Sequence, residues 1–157
     1  MRSLFFTLIL ILIGQWSCQS QTVLDTDKLN NLNNVFLFSL QKYCESLDST
    51  KIKTVYVKDG EYIGYIWPKK IKNFEIKYLG NRDYKKVIQN NKGSTTIIGI
   101  GSLEYKEGEF YVHVIPFSAT YSKRKVHFGN GGGLTVYFNY SEDKKGLIYK
   151  TEKWSGI

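Results

Sequence analysis

Leu134-Thr135-Val136-Tyr137-Phe138-Asn139-Tyr140 places an aliphatic or aromatic side chain at every second position, with Thr135, Tyr137 and Asn139 between them. A period of two belongs to a strand with one buried face, because successive side chains leave opposite sides of the pleat. Such a pattern also sets register, since a slip of one residue would turn the whole apolar set toward water. The zigzag extends in both directions. Residues 95–105 and 109–117 flank Lys106-Glu107-Gly108, a short glycine-containing loop suited to a hairpin. Residues 121–128 continue it, and 147–154 follow the polar turn 141–146. Residues 95–154 are therefore predicted to form a continuous antiparallel meander, with Leu134, Val136, Phe138 and Tyr140 on its buried face.

Upstream, 52–57 and 61–67 flank Lys58-Asp59-Gly60, and Asp-Gly between β-rich runs predicts a second hairpin. Phe74, Ile76 and Tyr78 alternate as a further strand, and 83–91 before Gly93 reads as a short helix with a glycine stop. Leu29, Leu32, Phe36, Leu40, Tyr43 and Leu47 recur at steps of three or four, which predicts an amphipathic helix over about 27–47. Asp25, Thr26 or Asp27 would cap it, and the asparagines at 30, 31, 33 and 34 weaken its first turns. The expected fold class is α+β: one N-terminal helix packed on a curved antiparallel sheet, a roll-like meander.

The chain has 157 residues, 42% hydrophobic and 23% charged, which suits one folded domain and excludes intrinsic disorder. Aromatic residues make up 15%, a loading that favours strands. Two cysteines are too few for a disulfide scaffold. Two histidines without HxH, HxxxH or CxxC spacing leave no metal site, and no cofactor motif is present. In Gly129-Asn130-Gly131-Gly132-Gly133 the glycines precede β-type residues instead of a helix, so a turn or bulge explains them better than a phosphate loop.

Residues 1–20 read as a signal peptide: Arg2, then an apolar run from Leu4 to Ile13 broken only by Thr7, then Gly14. The run is shorter than the roughly 20 residues that span a bilayer. Cys18 stands where the lipid-modified cysteine of a bacterial lipoprotein stands, with Ser17 suited to the preceding position and Gln15 departing from the usual leucine. Ordinary cleavage after Ser20 is the competitor. Residues 21–157 would then form a single α+β domain. With Cys18 lipidated, Cys44 is left as a buried thiol behaving as a small hydrophobe; an unlipidated Cys18 would allow a disulfide with it.

The element order is similar to the cystatin-like and NTF2-like roll. The stretch from His113-Val114-Ile115-Pro116-Phe117 through Gly131-Gly132-Gly133 to Trp154-Ser155-Gly156-Ile157 resembles small uncharacterised bacterial lipoproteins. That resemblance implies the bacterial cell envelope, as an outer-membrane lipoprotein or a periplasmic or secreted protein, and implies no activity.

Three functions follow as expectations. The leading one is an exported, lipid-anchored, non-enzymatic binding module that meets the membrane through Cys18 and an unknown protein or glycan through its domain. The second is a roll-fold hydrolase or isomerase with His113 or His127 as acid/base, His113 sharing a strand face with Glu109 and Tyr111. The third is a glycan binder using exposed members of Tyr62, Tyr65, Tyr105, Tyr111, Tyr121, Tyr137 and Tyr149. The net charge of +8 is spread over Lys69-Lys70, Lys72, Lys85-Lys86, Lys123-Arg124-Lys125 and Lys144-Lys145. In an exported protein such charge suits anionic headgroups or acidic glycans, and nucleic acid is not expected.

Overall fold

In the computed structural model, which describes residues 22–24 and 33–156, Asn34 opens the first helix among them: its Oδ1 accepts a hydrogen bond from the Leu37 amide at 2.7 Å. An asparagine that is poor inside a helix is among the best residues at its N-cap. The predicted leader with Cys18, the caps at 25–27 and the turns at 27–32 lie outside the described residues.

The elements run α1 (Val35–Glu45), β1 (Thr54–Lys58), β2 (Lys70–Ile71), β3 (Phe74–Leu79), α2 (Tyr84–Asn90), β4 (Ser94–Lys106), β5 (Glu109–Ser122), β6 (Lys125–Asn130), β7 (Gly132–Ser141) and β8 (Gly146–Gly156). The eight strands make one sheet in the order β2-β3-β1-β4-β5-β7-β8, with β6 pairing β5.

This sheet is mixed, which overturns the expected α+β meander with a single helix on an antiparallel roll. β1 is parallel to β3 on one side and to β4 on the other. The predicted hairpin through Asp59-Gly60 does not form, because residues 61–67 are turns and not a strand. Their aromatics pack instead: Tyr62 stacks on Phe36 of α1 at 4.6 Å, and Trp67 is buried edge-on to Tyr78. β1 is thereby left between two parallel neighbours, with Val55 and Val57 buried. Parallel neighbours need a crossover, and α2 supplies one between β3 and β4. Gly93 ends that crossover helix at φ +89°, its amide donating to Ile88 O at 2.9 Å.

The two helices among the described residues cover opposite faces. Phe36, Leu37, Leu40 and Tyr43 of α1 share one core with Val55, Val57, Ile98, Val112, Val114, Leu134, Val136 and Phe138. Tyr84 and Ile88 of α2 share a smaller one with Leu79, Ile97 and Ala119. Leu134, Val136 and Phe138 thus face α1, while Tyr140 stays 57% exposed. Thr135, on the opposite face, is buried too.

The last third is antiparallel but broken. β5 is the common partner: β6 pairs its second half and β7 its first, and the register passes from Phe117↔Asn130 to Val114↔Leu134. One extra residue is accommodated opposite Ile115 and Pro116, where proline has no N–H to lose. The Gly131-Gly132-Gly133 run makes this bulge, with Gly132 at φ +109° and its amide bonded to Asn130 Oδ1.

Both hairpins of β5 are two-residue turns with left-handed backbone. Glu107-Gly108 has φ of 54° and 87°, and Lys123-Arg124 has 49° and 64°. Such turns favour Asn-Gly, since a residue with a Cβ pays roughly 1–2 kcal/mol in the left-handed region. Arg124→Gly is expected to stabilise the fold by about 0.5–1 kcal/mol after the loss from a freer unfolded chain, measured by urea denaturation. Unchanged or lower stability would contradict the turn assignment.

Candidate functional site

Among the described residues, the face of the sheet away from α1 is covered by α2 near Ile97, Ala119, Tyr121 and Val126. Beyond that, β5 alternation brings Tyr111 and His113 onto the open part, and register places Tyr137 beside Tyr111 and Thr135 beside His113. The Tyr111 ring lies 5.1 Å from the His113 ring and 5.9 Å from that of Tyr137. His113 Nδ1 is 2.9 Å from Thr135 Oγ1, which anchors the imidazole and satisfies the buried threonine. The Tyr111 hydroxyl donates to Glu104 Oε2 at 2.9 Å, and this carboxylate, as acceptor, raises the phenol above its ordinary pKa.

Next to His113 the bulge leaves a cleft of about 240 Å³, walled by Asn130, Gly132, Gly133, Leu134 and Ser155. The glycines are required there. A Cβ on Gly133 would lie 2.5 Å from Val114 O, and one on Gly132 would lie 2.0 Å from Ser155 O.

Of the four residues proposed for acid/base work, two come together and two do not. His127 pairs with Thr120, which puts it on the opposite face from His113, so the imidazoles cannot converge. Glu109 shares the strand with His113 but is held by Lys150 of β8 in an ion pair. The partner of His113 is therefore a hydroxyl, while Glu104 and Glu109 are engaged by Tyr111 and Lys150. Among the described residues no group of three His, Cys, Asp or Glu is placed to hold a metal ion.

The tyrosines divide between the faces. Tyr111, Tyr121 and Tyr137 lie on the open side, while Tyr149 packs on Phe38 of α1 at 5.4 Å. Tyr105 pairs with Phe110 at the hairpin end. Tyr62 and Tyr65 are in turns outside the sheet. Cys44 is a buried free thiol pushed up to about 12, first by burial and then by the neighbouring Glu45. A thiol in that state is a packing residue.

The glycine run reads as a turn or bulge in sequence and forms a bulge here, whereas neither its place beside His113 nor Thr135 as the partner of that imidazole is visible locally. Both follow from the register of β5 with β7, which the residue count across the bulge sets. No helix among the described residues is long and apolar enough to cross a membrane. No protein-family model, curated protein or solved structure matches the chain.

Proposed function

We propose that the chain is an exported, lipid-anchored binding module, and that its ligand face is the open sheet around Tyr111, His113 and Tyr137, with a saccharide as ligand. The observation that carries this reading is the convergence of Tyr111, His113 and Tyr137 beside the glycine-walled cleft. Tyrosine rings are apolar on their faces and polar at one edge, which matches the C–H faces and hydroxyl rim of a pyranose. Asn130 and Ser155 in the cleft add hydrogen-bonding side chains at the border of that platform. The Thr135 bond to His113 supports binding over catalysis, because a general base is usually oriented by a carboxylate.

Two measurements test the proposal. On a glycan array, each of Tyr111→Ala and Tyr137→Ala should weaken binding about fivefold, as loss of about 1 kcal/mol per aromatic contact implies. Tyr65→Ala, which removes a ring that is 87% exposed but outside the sheet, should change nothing. Binding that survives the double variant Tyr111→Ala/Tyr137→Ala would sink the ligand face. For the anchor, radiolabelled palmitate should enter the protein and be lost in Cys18→Ala; an unlabelled wild type removes the lipid.

A further inference from the structure

We propose that the end of the domain formed by α2 and the β5–β6 turn docks an acidic polysaccharide, a second binding surface separate from the cleft. In sequence the cations are scattered, but the fold gathers them. α2 packs on Tyr121 and Val126, which flank the turn at 123–124, and Lys85 of α2 lies 5.4 Å over the Tyr121 ring. Lys85, Lys86, Lys92, Lys123, Arg124 and Lys125 are all exposed at this end. The ion pairs among the described residues use none of the six. The carboxylates around this helix are Asp83, whose Oδ2 accepts from the Gly80 amide, Asp59, which acts with it on the Tyr84 phenol, and Glu75, which lines a groove with Lys86 and is paired with Lys77.

The opposite end has the reverse character. There Lys106 pairs with Glu107 and Lys150 with Glu109, and Lys144 and Lys145 share their turn with Glu142 and Asp143. Positive charge is thus in excess at one end of the molecule and balanced at the other, and a cluster of like charges in excess over its counter-charges attracts a polyanion. The turn adds a second indication. Lys123 and Arg124 form a tight two-residue turn, so their side chains project together from the end of the β5–β6 hairpin. Beside them the half-exposed Phe128 ring meets Tyr84 and Phe117 edge-on, an aromatic border against which sugar rings can lie.

Position favours a polymer over the bilayer. Leu24 joins the sheet at Leu147, beside the β7–β8 turn, which is the end away from the cations. β5 alone separates the two ends by about 40 Å at ~3.3 Å per residue. The six residues from Cys18 to Leu24 reach at most about 20 Å. This step rests on the proposed anchor at Cys18, and a lipid there holds the cationic end outward.

The test is affinity of the full chain for polygalacturonate, measured by titration calorimetry at low and high salt, with dextran as the neutral control. Polygalacturonate should bind and be released at 0.5 M salt, where screening is nearly complete within a few ångströms. Dextran should not engage this end. Lys123→Gln/Arg124→Gln/Lys125→Gln and, as an independent variant away from the strained turn, Lys85→Gln/Lys86→Gln should each lose at least tenfold. Lys144→Gln/Lys145→Gln, with a similar change in net charge, should stay within twofold. Absence of binding, an equal loss in all three variants, or tighter binding to phosphatidylglycerol vesicles or a single-stranded DNA oligomer would overturn the proposal. Failure of palmitate labelling with these losses intact would remove the anchor and leave the docking surface standing.

Discussion

Phe138→Ala should lower the melting temperature by roughly 10–15 °C, corresponding to about 3–5 kcal/mol for a large side chain removed from a core that cannot close around the void. Phe138 has no exposed surface and packs edge-on to Phe38 of α1. Its neighbour Tyr137 points to the open face, half-exposed, and meets Tyr111 there. Tyr137→Ala should cost about 1 kcal/mol, or about 3 °C, the value of one aromatic contact at a partly wet site. Thermal unfolding followed by circular dichroism separates the two variants. Equal melting temperatures, or a larger loss at Tyr137, would mean that β7 presents its other face to α1. The binding measurement on Tyr137→Ala is interpretable because the variant should remain folded at working temperature, given a domain stability of about 5–15 kcal/mol.

Within the glycine run, two neighbouring substitutions should behave very differently. Gly132 has φ +109°, and an added Cβ would lie 2.0 Å from Ser155 O and 2.7 Å from Gly156 Cα, both backbone atoms of β8. Backbone cannot swing aside as a long side chain can, so Gly132→Ala must either shift the end of β8 or give up the bulge. A loss of at least about 2 kcal/mol is expected from the left-handed strain and the displaced ladder together. Gly131 has nothing within 4 Å of where its Cβ would stand. Gly131→Ala should therefore stay within about 0.5 kcal/mol of wild type, as substitutions away from special backbone do. Urea midpoints measure both. Because Gly132 also walls the cleft beside His113, Gly132→Ala should perturb the His113 ring resonances while Gly131→Ala leaves them in place. The opposite ranking would show that the bulge is not what shapes the cleft.

Much of the candidate site could be read before folding, and its arrangement could not. Alternation alone places Tyr111 and His113 on one side of a strand, because a side-chain period of two is a local property of extended backbone. The partner of His113 is not local: Thr135 arrives through the β5–β7 register, which depends on one extra residue near Pro116. His127 shows the same limit. It looks equivalent to His113 in sequence, yet pairing with Thr120 places it on the opposite face. The cationic residues are a third case. They read as spread along the chain until α2 is laid across the sheet and Lys85 meets Tyr121.

Local sequence was enough for the strands around 74–79, 94–106, 109–117, 132–141 and 146–156, the short helix before Gly93 and the buried set Leu134, Val136 and Phe138, but not for 121–128, which reads as one strand and is divided between β5 and β6 by the Lys123-Arg124 turn. Each rests on periodicity, turn chemistry or a glycine with positive φ, all of which act over a few residues. That the sheet is mixed is settled by long-range packing. Asp59-Gly60 carries the local signal of a hairpin, and in isolation β1 would be expected to turn back on residues 61–67. That pairing loses to packing: Tyr62 and Trp67 bury their rings against Phe36 and Tyr78, while Val55 and Val57 enter the core between β3 and β4. Burial of large apolar side chains is worth about 1.5–3 kcal/mol each, which exceeds the preference of one turn dipeptide. The competition is between residues distant in the chain, so no local pattern records its outcome.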